Sequence, residues 1–272
     1  MGKFDGILFC TDLDGTLYGS DKTISAENIK AIEYFKSEGG LFTFITGRMP
    51  YFSDEVYNAI KPNTYFGCIN GGGLYDHIKG EYVWTNTIHN DSIKLAEYVA
   101  ERVDGIGVQL YTLDNVYFCR DNDSNQIFRD ITGVPNLQCD FYEVPTPIVK
   151  ILFASEDSDT ILKIEQLLRS HPLADRFDFV ASEKTLFEIM PKGICKGKAL
   201  EKLCEILNID PKKTVAIGDY DNDISMLKAA HAGIAVANAT ETAKAAADFI
   251  TVSNDESAIA KVIYDIEKGK YI

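Results

Sequence analysis

Basic charge is in deficit: 27 Lys and Arg against 41 Asp and Glu leave a net charge of −14, and no Lys/Arg cluster offsets it locally. A nucleic acid or an anionic membrane would be repelled by such a surface, so neither is expected as a partner. A small anionic ligand would have to find its positive charge inside its own site. Histidine is sparse, and His77, His89, His171 and His231 show no HExxH or clustered spacing; they read as surface or core residues, not metal ligands. The six cysteines, Cys10, Cys68, Cys119, Cys139, Cys195 and Cys204, lack CxxC spacing and read as buried free thiols of a reducing cytoplasm. No stretch approaches the ~20 apolar residues of a transmembrane helix. Met1-Gly2-Lys3-Phe4-Asp5 lacks the features of a signal peptide, and position 6 is not the hydroxyl residue a myristoylated Gly2 would need, so a cytoplasmic protein is expected. Repeats and low-complexity segments are also missing.

What is present is an ordinary globular composition, 46% hydrophobic and 25% charged, in 272 residues, enough for one large domain or two. The apolar run Ile7-Leu8-Phe9-Cys10 predicts a buried strand ending in two carboxylates one residue apart, Asp12 and Asp14, with Gly15 to turn the chain. Ser25 is placed to cap a helix over Ala26 to Glu38, stopped by Gly39-Gly40. A second buried strand, Leu41 to Ile45, ends in Thr46-Gly47-Arg48, and Pro50 opens a helix to about Ile60. A third strand, Tyr65 to Ile69, ends in Asn70-Gly71-Gly72-Gly73. This alternation predicts right-handed βαβ units in a parallel sheet.

From about Tyr82 antiparallel signals take over, including a hairpin of Gly107–Tyr111 with Val116–Cys119 and strands at Val149–Ala154, Phe177–Ala181 and Leu186–Met190. After Pro191 the parallel pattern returns: a helix Lys196 to Leu207, a strand Thr214 to Ile217 ending in Gly218-Asp219-Tyr220-Asp221-Asn222-Asp223, and strands Gly233–Val236 and Phe249–Thr251. The expectation is an α/β core of residues 1–82 and 191–272 with an α+β module, residues 83–190, inserted into it.

Asp12/Asp14, Thr46/Arg48, Lys196 and Asp219/Asn222/Asp223 therefore come from four strand or helix ends that meet at one edge of such a sheet, where open α/β sheets bind ligands. Acids from two strand ends offer hard oxygen ligands for Mg²⁺. With that cation and Lys196 neutralising phosphoryl oxygens, Asp12 is placed to attack phosphorus and Asp14 to move the proton of the leaving oxygen and then of water. Thr46 and neighbouring amides suit the phosphoryl group as donors. Taken singly, each residue has a plainer reading: an Asp-Gly turn, a solvated first-turn lysine at Lys196, a loop arginine at Arg48. Neither Asp12–Gly15 nor Asp219–Asp223 has the glycine spacing of an EF-hand loop, and Asp121–Asn125 reads as a helix-capping turn.

The four segments Asp12-Leu13-Asp14-Gly15-Thr16, Phe44-Ile45-Thr46-Gly47-Arg48, Gly193-Ile194-Cys195-Lys196-Gly197-Lys198-Ala199-Leu200 and Gly218-Asp219-Tyr220-Asp221-Asn222-Asp223 resemble, in order, the motifs of the haloacid dehalogenase-like phosphohydrolases. The chain is most similar to the Cof-type branch, which has a large C2-type cap after the third strand. The resemblance implies a Rossmann-like core and an aspartyl-phosphate mechanism with Asp12 as nucleophile and Asp14 as acid/base. It implies Mg²⁺ held by Asp12, the backbone carbonyl of Asp14 and Asp219, with Asp223 supporting metal-bound water and Asn222 touching phosphate. Thr46, Gly47, Arg48 and Lys196 complete the implied phosphate site; Tyr220 and Asp221 receive no role. Asn70 and Gly71 match a family turn near the leaving group, and a hairpin turn explains them as well.

The expected activity is hydrolysis of small phosphorylated metabolites, sugar phosphates or phosphorylated cofactors. A phosphomutase and a non-catalytic phosphometabolite sensor are the alternatives. The inserted module is expected to act as a lid that selects the substrate. Within it Arg120, Arg129, Lys150 and Glu188 are candidates for contacting the leaving group, each reading otherwise as a solvated surface charge.

Overall fold

The structure, a computed structural model, describes residues 2–272. Along the chain run β1 (Leu8–Thr11), α1 (Ala26–Ser37), β2 (Leu41–Phe44), α2 (Asp54–Ile60), β3 (Phe66–Cys68), β4 (Gly73–Asp76) and β5 (Glu81–Thr85). Next come α3 (Asp91–Ala100), β6 (Gly107–Thr112), β7 (Val116–Arg120), α4 (Asp123–Thr132), β8 (Leu137–Gln138), β9 (Ile148–Ala154), α5 (Ser158–Ser170), β10 (Phe177–Glu183) and β11 (Leu186–Pro191). The chain closes with α6 (Lys196–Leu207), β12 (Thr214–Gly218), α7 (Ile224–Ala229), β13 (Ala232–Ala235), α8 (Glu241–Ala246), β14 (Phe249–Ile250) and α9 (Ala258–Glu267). Contacts divide it into two units, residues up to Thr85 with Cys195–Ile272, and Asn86–Ile194.

The first unit carries a parallel five-stranded sheet in the order β14-β13-β12-β1-β2. Helices cover both of its faces, so β1 is buried from end to end, as a parallel strand with two apolar faces must be. Phe9 stacks on Phe42 at 5.2 Å between ring centroids and meets Phe35 of α1 edge-on at 5.9 Å. Its neighbours Leu8 and Cys10 join Ala199, Leu200, Leu203 and Cys204 of α6 on the other face. The N-cap of α1 is Ser25, whose hydroxyl accepts from the Asn28 amide at 3.1 Å. Buried Asn28 in turn accepts from the Ala260 amide at 3.0 Å and ties α1 to α9.

The third strand departs from the parallel expectation. β3 pairs antiparallel with β4, and β4 with β5, touching β2 through one parallel bridge, Ile45 to Gly67. The cause is the turn that follows it: Ile69, Asn70 and Gly71 all adopt positive φ, 56°, 49° and 93°, and reverse the chain. A β-branched residue at positive φ is strained, and here the strain accompanies a buried Asn70 at the edge of the acidic cluster described below.

In the second unit β10-β11-β9-β6-β7-β8 form one sheet, antiparallel except for the β7–β8 pair. One face packs Val108, Leu110, Ile151, Phe153, Phe187 and Ile189 against apolar residues of α3 and α5. The division falls a few residues beyond the expected boundaries at 82/83 and 190/191. Thr85 still pairs with Gly73 of β4, and Ile194 still donates its amide to Pro191 at 3.2 Å.

Gly71 is tightly enclosed by backbone. A Cβ there would lie 2.1 Å from the carbonyl oxygen of Cys195 and 2.8 Å from the amide nitrogen of Lys196, both backbone atoms, at a φ of +93°. Replacing Gly71 by Ala should therefore cost about 3 kcal/mol, from overpacking and left-handed strain together. Urea unfolding reads this directly; an unchanged midpoint would mean that the start of α6 yields freely.

Candidate active site

β1 and β12 lie side by side with Thr11 opposite Ile217, and the Asp12 amide donates to the Ile217 carbonyl at 3.0 Å. That register brings Asp12 and Asp219 off two adjacent strand ends. Asp223 joins them from the turn after β12, so one carboxylate oxygen of each of Asp12, Asp219 and Asp223 lies within 4.8 Å of the others. Its own position is held by the backbone it caps, since Asp223 Oδ2 accepts from the amides of Asp219 at 2.9 Å and Tyr220 at 3.1 Å. Gly15, at φ +80°, lets the first turn pass close by: a Cβ there would meet Asp219 Oδ2 at 2.4 Å.

Lys196, the first residue of α6, lies between these acids. Its Nζ donates to Asp12 Oδ1 and to Asp223 Oδ1, each at 2.6 Å, and its side chain is 1% exposed. It is not a solvated first-turn lysine. Burial alone would lower its pKa, but the carboxylates of Asp12 and Asp223 outweigh that and raise it, so the ammonium stays charged. Burial pushes the Asp12 carboxyl well above its usual range, Asp223 and Asp219 push it further, and Lys196 opposes them. Asp219 is pushed up to about 6, chiefly by burial and then by Asp223, against the hydroxyl of Thr16, which donates to its Oδ1 at 2.7 Å. Thr16 was part of the first motif without a role of its own. The signal for it was a hydroxyl two residues past the second acid.

Asp14 faces a different partner. Arg48 Nε and Nη2 donate to both of its oxygens at 2.8–3.1 Å, Lys22 Nζ stands 3.5 Å away, and the guanidinium lies over the Tyr18 ring at 5.5 Å. Thr46 is buried; its hydroxyl accepts from the Arg48 amide at 3.2 Å and its own amide donates to Gly67 at 3.0 Å. Asn222 Nδ2 donates to Asn70 Oδ1 at 3.1 Å, and Asn70 packs so closely on Gly47 that a Cβ there would meet its Oδ1 at 2.9 Å. Asn238, which no motif marked, donates to the Gly15 carbonyl at 2.8 Å. The eight residues Asp12, Asp14, Thr46, Arg48, Lys196, Asp219, Asn222 and Asp223 all belong to the first unit.

The candidates in the second unit are mostly not surface charges. Arg129 is buried and grips Asp121 with two bonds of 2.9 Å, its guanidinium 4.6 Å from the Phe118 ring centroid. Lys150 and Glu188 are buried together at 3.1 Å, with Ser182 donating to Glu188 at 2.7 Å and the Tyr111 ring 4.7 Å from the ammonium. Glu188 stands opposite Leu152, so the period of two along β9 puts Lys150 on the same sheet face. Only Arg120 is exposed, donating to its neighbour's carbonyl at 2.7 Å beside the Phe141 ring. Two thiols, Cys139 and Cys195, are half-buried, not buried as expected.

The first-unit cluster has formal charge 3 × (−1) + 1 = −2, and its free donors are oxygens alone. A hard divalent cation such as Mg²⁺ fits that set, because carboxylate oxygen is its preferred ligand and two positive charges cancel the excess.

A family model described as haloacid dehalogenase-like hydrolase matches residues 9–263. The chain belongs to this family. It is 30% identical to 5-amino-6-(5-phospho-D-ribitylamino)uracil phosphatase YwtE of Bacillus subtilis over 96% of this chain and 98% of that one. It is 28% identical to phosphatase YwpJ of the same organism over 94% and 98%. Among solved structures, a haloacid dehalogenase-like hydrolase from Bacteroides thetaiotaomicron superposes with TM-score 0.81 at 26% identity, covering 96% of this chain and 99% of that one. The protein is thus a phosphoric monoester hydrolase of the haloacid dehalogenase-like family, with the α/β core and inserted α+β unit that the sequence implied. No described helix is long and apolar enough to cross a membrane.

A pH effect follows from the raised carboxyls. Asp12 and Asp219 bind protons more tightly folded than unfolded, so their contribution favours the folded state as pH falls through about 6, toward the ordinary carboxylate range. In EDTA, unfolding should cost about 1 kcal/mol more at pH 5.5 than at 7.5 from Asp219 alone. Urea titrations of the wild type and of Asp219→Asn measure it; a gain that persists undiminished in the variant would place the proton elsewhere.

Proposed function

We propose that the protein is a Mg²⁺-dependent phosphatase that hydrolyses small phosphorylated metabolites through an aspartyl phosphate on Asp12. The observation that carries this reading is the buried, net-negative cluster of Asp12, Asp219 and Asp223 around a single Lys196. Asp12, the backbone carbonyl of Asp14 and Asp219 would hold the cation, with Asp223 beside them. When bound, Mg²⁺ supplies positive charge that lets an anionic phosphate approach and withdraws electron density from phosphorus.

The chain's own groups then perform two displacements. Asp12 attacks phosphorus through a carboxylate oxygen, the bond to the leaving oxygen breaks, and Asp14 delivers a proton to that oxygen. Water next attacks the aspartyl phosphate, Asp14 takes its proton, and the bond between phosphorus and Asp12 breaks to release inorganic phosphate. Lys196 fixes the orientation of Asp12 and carries a charge that does not need to be recruited during the reaction. Thr46, Gly47 and Asn222 would donate to the phosphoryl oxygens. In the present arrangement Arg48 holds both oxygens of Asp14, so Asp14 must exchange the guanidinium for the leaving oxygen before it can act as an acid.

The second unit, 86–194, would choose the leaving group, with Lys150 and Glu188 as its charged candidates. A leaving group of metabolite size is supported by the relative named for 5-amino-6-(5-phospho-D-ribitylamino)uracil. A panel of phosphorylated sugars and cofactors compared with phosphopeptides tests this, and efficient phosphopeptide hydrolysis would refute it.

Two measurements bear on the chemistry. Asp12→Asn should remove turnover while leaving the fold intact, because the near-isosteric amide cannot form the acyl phosphate; activity within about tenfold of wild type, only ~1.4 kcal/mol in barrier, would sink the assignment. Activity should also vanish in EDTA and return with Mg²⁺. Full turnover in chelator, or rescue by Zn²⁺ alone, would count decisively against the cation.

A further inference from the structure

β7 and β8 are the parallel pair at one edge of the second unit's sheet, with Tyr117 opposite Leu137 and Phe118 opposite Gln138. The next residue on each strand line is a cysteine, Cys119 on β7 and Cys139 just past β8. Both side chains lie on the sheet face that carries the apolar core, where Cys139 packs against the cluster that contains Cys119. They are neighbours there, near enough for each thiol to affect the protonation of the other. Neighbouring strands run ~4.8 Å apart, inside the ~4.4–6.8 Å range of Cα separations that a disulfide spans.

Access differs between the two. Cys119 is 6% exposed, whereas Cys139 is half-buried, and both line an open depression of about 410 Å³ together with Arg120, Asp121, Asp140 and Glu143. A small neutral oxidant such as a peroxide can therefore reach Cys139 first, with Arg120 the one cation lining that depression. Burial raises both thiols, that of Cys119 up to about 12, so the more deeply buried Cys119 is the poorer initial nucleophile of the two. Cys10 and Cys204 lie in the apolar core of the first unit.

We propose that Cys119 and Cys139 form a reversible modification site, a dithiol that a peroxide converts to an intramolecular disulfide at the β7–β8 edge. The Cys139 sulfur attacks the peroxide, the O–O bond breaks, and a sulfenic acid forms with release of water. Cys119 then attacks that sulfur, expelling a second water and closing the S–S bond. The two sulfurs together lose two electrons and two protons, and hydrogen peroxide becomes two molecules of water. β8 holds the sheet through only two paired residues, so the new bond would pin an edge that hydrogen bonding secures weakly.

Hydrogen peroxide on the full-length wild type, followed by intact mass, thiol titration in denaturant and peptide mapping, tests the proposal. The expected result is loss of the mass of two hydrogen atoms, a fall from six free thiols to four, and a peptide joining Cys119 to Cys139, all reversed by dithiothreitol. In Cys119→Ser, Cys139 should stop at a sulfenic acid that dimedone traps; in Cys139→Ser, Cys119 should stay reduced. A cross-link between any other pair, such as Cys10 with Cys204, would overturn the assignment. So would oxidation of Cys195 while Cys119 and Cys139 remain thiols.

Discussion

A single ammonium group, sealed from water and shared by two carboxylates, is the constraint on which the candidate site of the first unit depends. Lys196 is 184 residues from Asp12 and 27 from Asp223 in the chain, yet it bonds both at 2.6 Å. Three carboxylates gathered in a buried place repel one another, and each would take up a proton before accepting that company without a counter-charge. The ammonium lowers that repulsion enough for the strands to end where they do. Asp223 passes the constraint on, because its second oxygen caps the amides of Asp219 and Tyr220 and so fixes the turn that carries the third acid. Glycines at 15, 71, 197 and 218 leave the room: a Cβ at any of them would lie 2.1–2.6 Å from a side-chain or backbone atom of the same region.

The ammonium does not complete the balance. Lys196 is already matched by Asp12 and Asp223, so a phosphate monoester arriving at the bare cluster would meet two uncompensated negative charges in a chain that is itself strongly acidic. Arg48 cannot make up the difference while both oxygens of Asp14 hold it. In the proposed mechanism, then, cation and substrate are not independent ligands. The cation must come first, and the raised carboxyls mean that it competes with a proton for the same oxygens.

That the first-unit acids would come together was legible because they follow strong local punctuation. An apolar strand that stops at an acid, followed by a glycine, shows in sequence at Asp12–Gly15 and again at Gly218–Asp223, and parallel α/β order puts such ends on one edge. What did not show was pairing. Nothing in the spacing of Thr46-Gly47-Arg48 says that its guanidinium will choose Asp14, since that depends on how two loops close in space. The β4–β5 hairpin was also hidden, because its first strand begins in a glycine run that masks the alternation of Leu74 and Tyr75.

The second unit was less legible for a related reason. Lys150 and Glu188 look like ordinary charged residues within apolar strands, and the sequence offers no means to see that β9 and β11 lie side by side with both charges on one face. Yet a buried Lys–Glu pair is a poor stabiliser, since the desolvation of two charges offsets much of their attraction and apolar residues of similar volume fill such a space as well or better. Stability alone does not explain why this sheet puts Lys150, Glu188, Tyr111 and Gln109 on its other face, opposite an apolar core already complete with Ile151, Phe153 and Ile189. These groups already satisfy one another, so a ligand engages them only by exchanging those bonds for its own, and one that cannot do so leaves groups unpaired at a cost of about 1–3 kcal/mol for each neutral group and more for a charged one. In the proposed function, a leaving group able to make that exchange would be set apart from one that is not. On the proposed reading, Lys150 and Glu188 contribute weakly to folding and are the charged groups of their unit that would tell one phosphorylated metabolite from another.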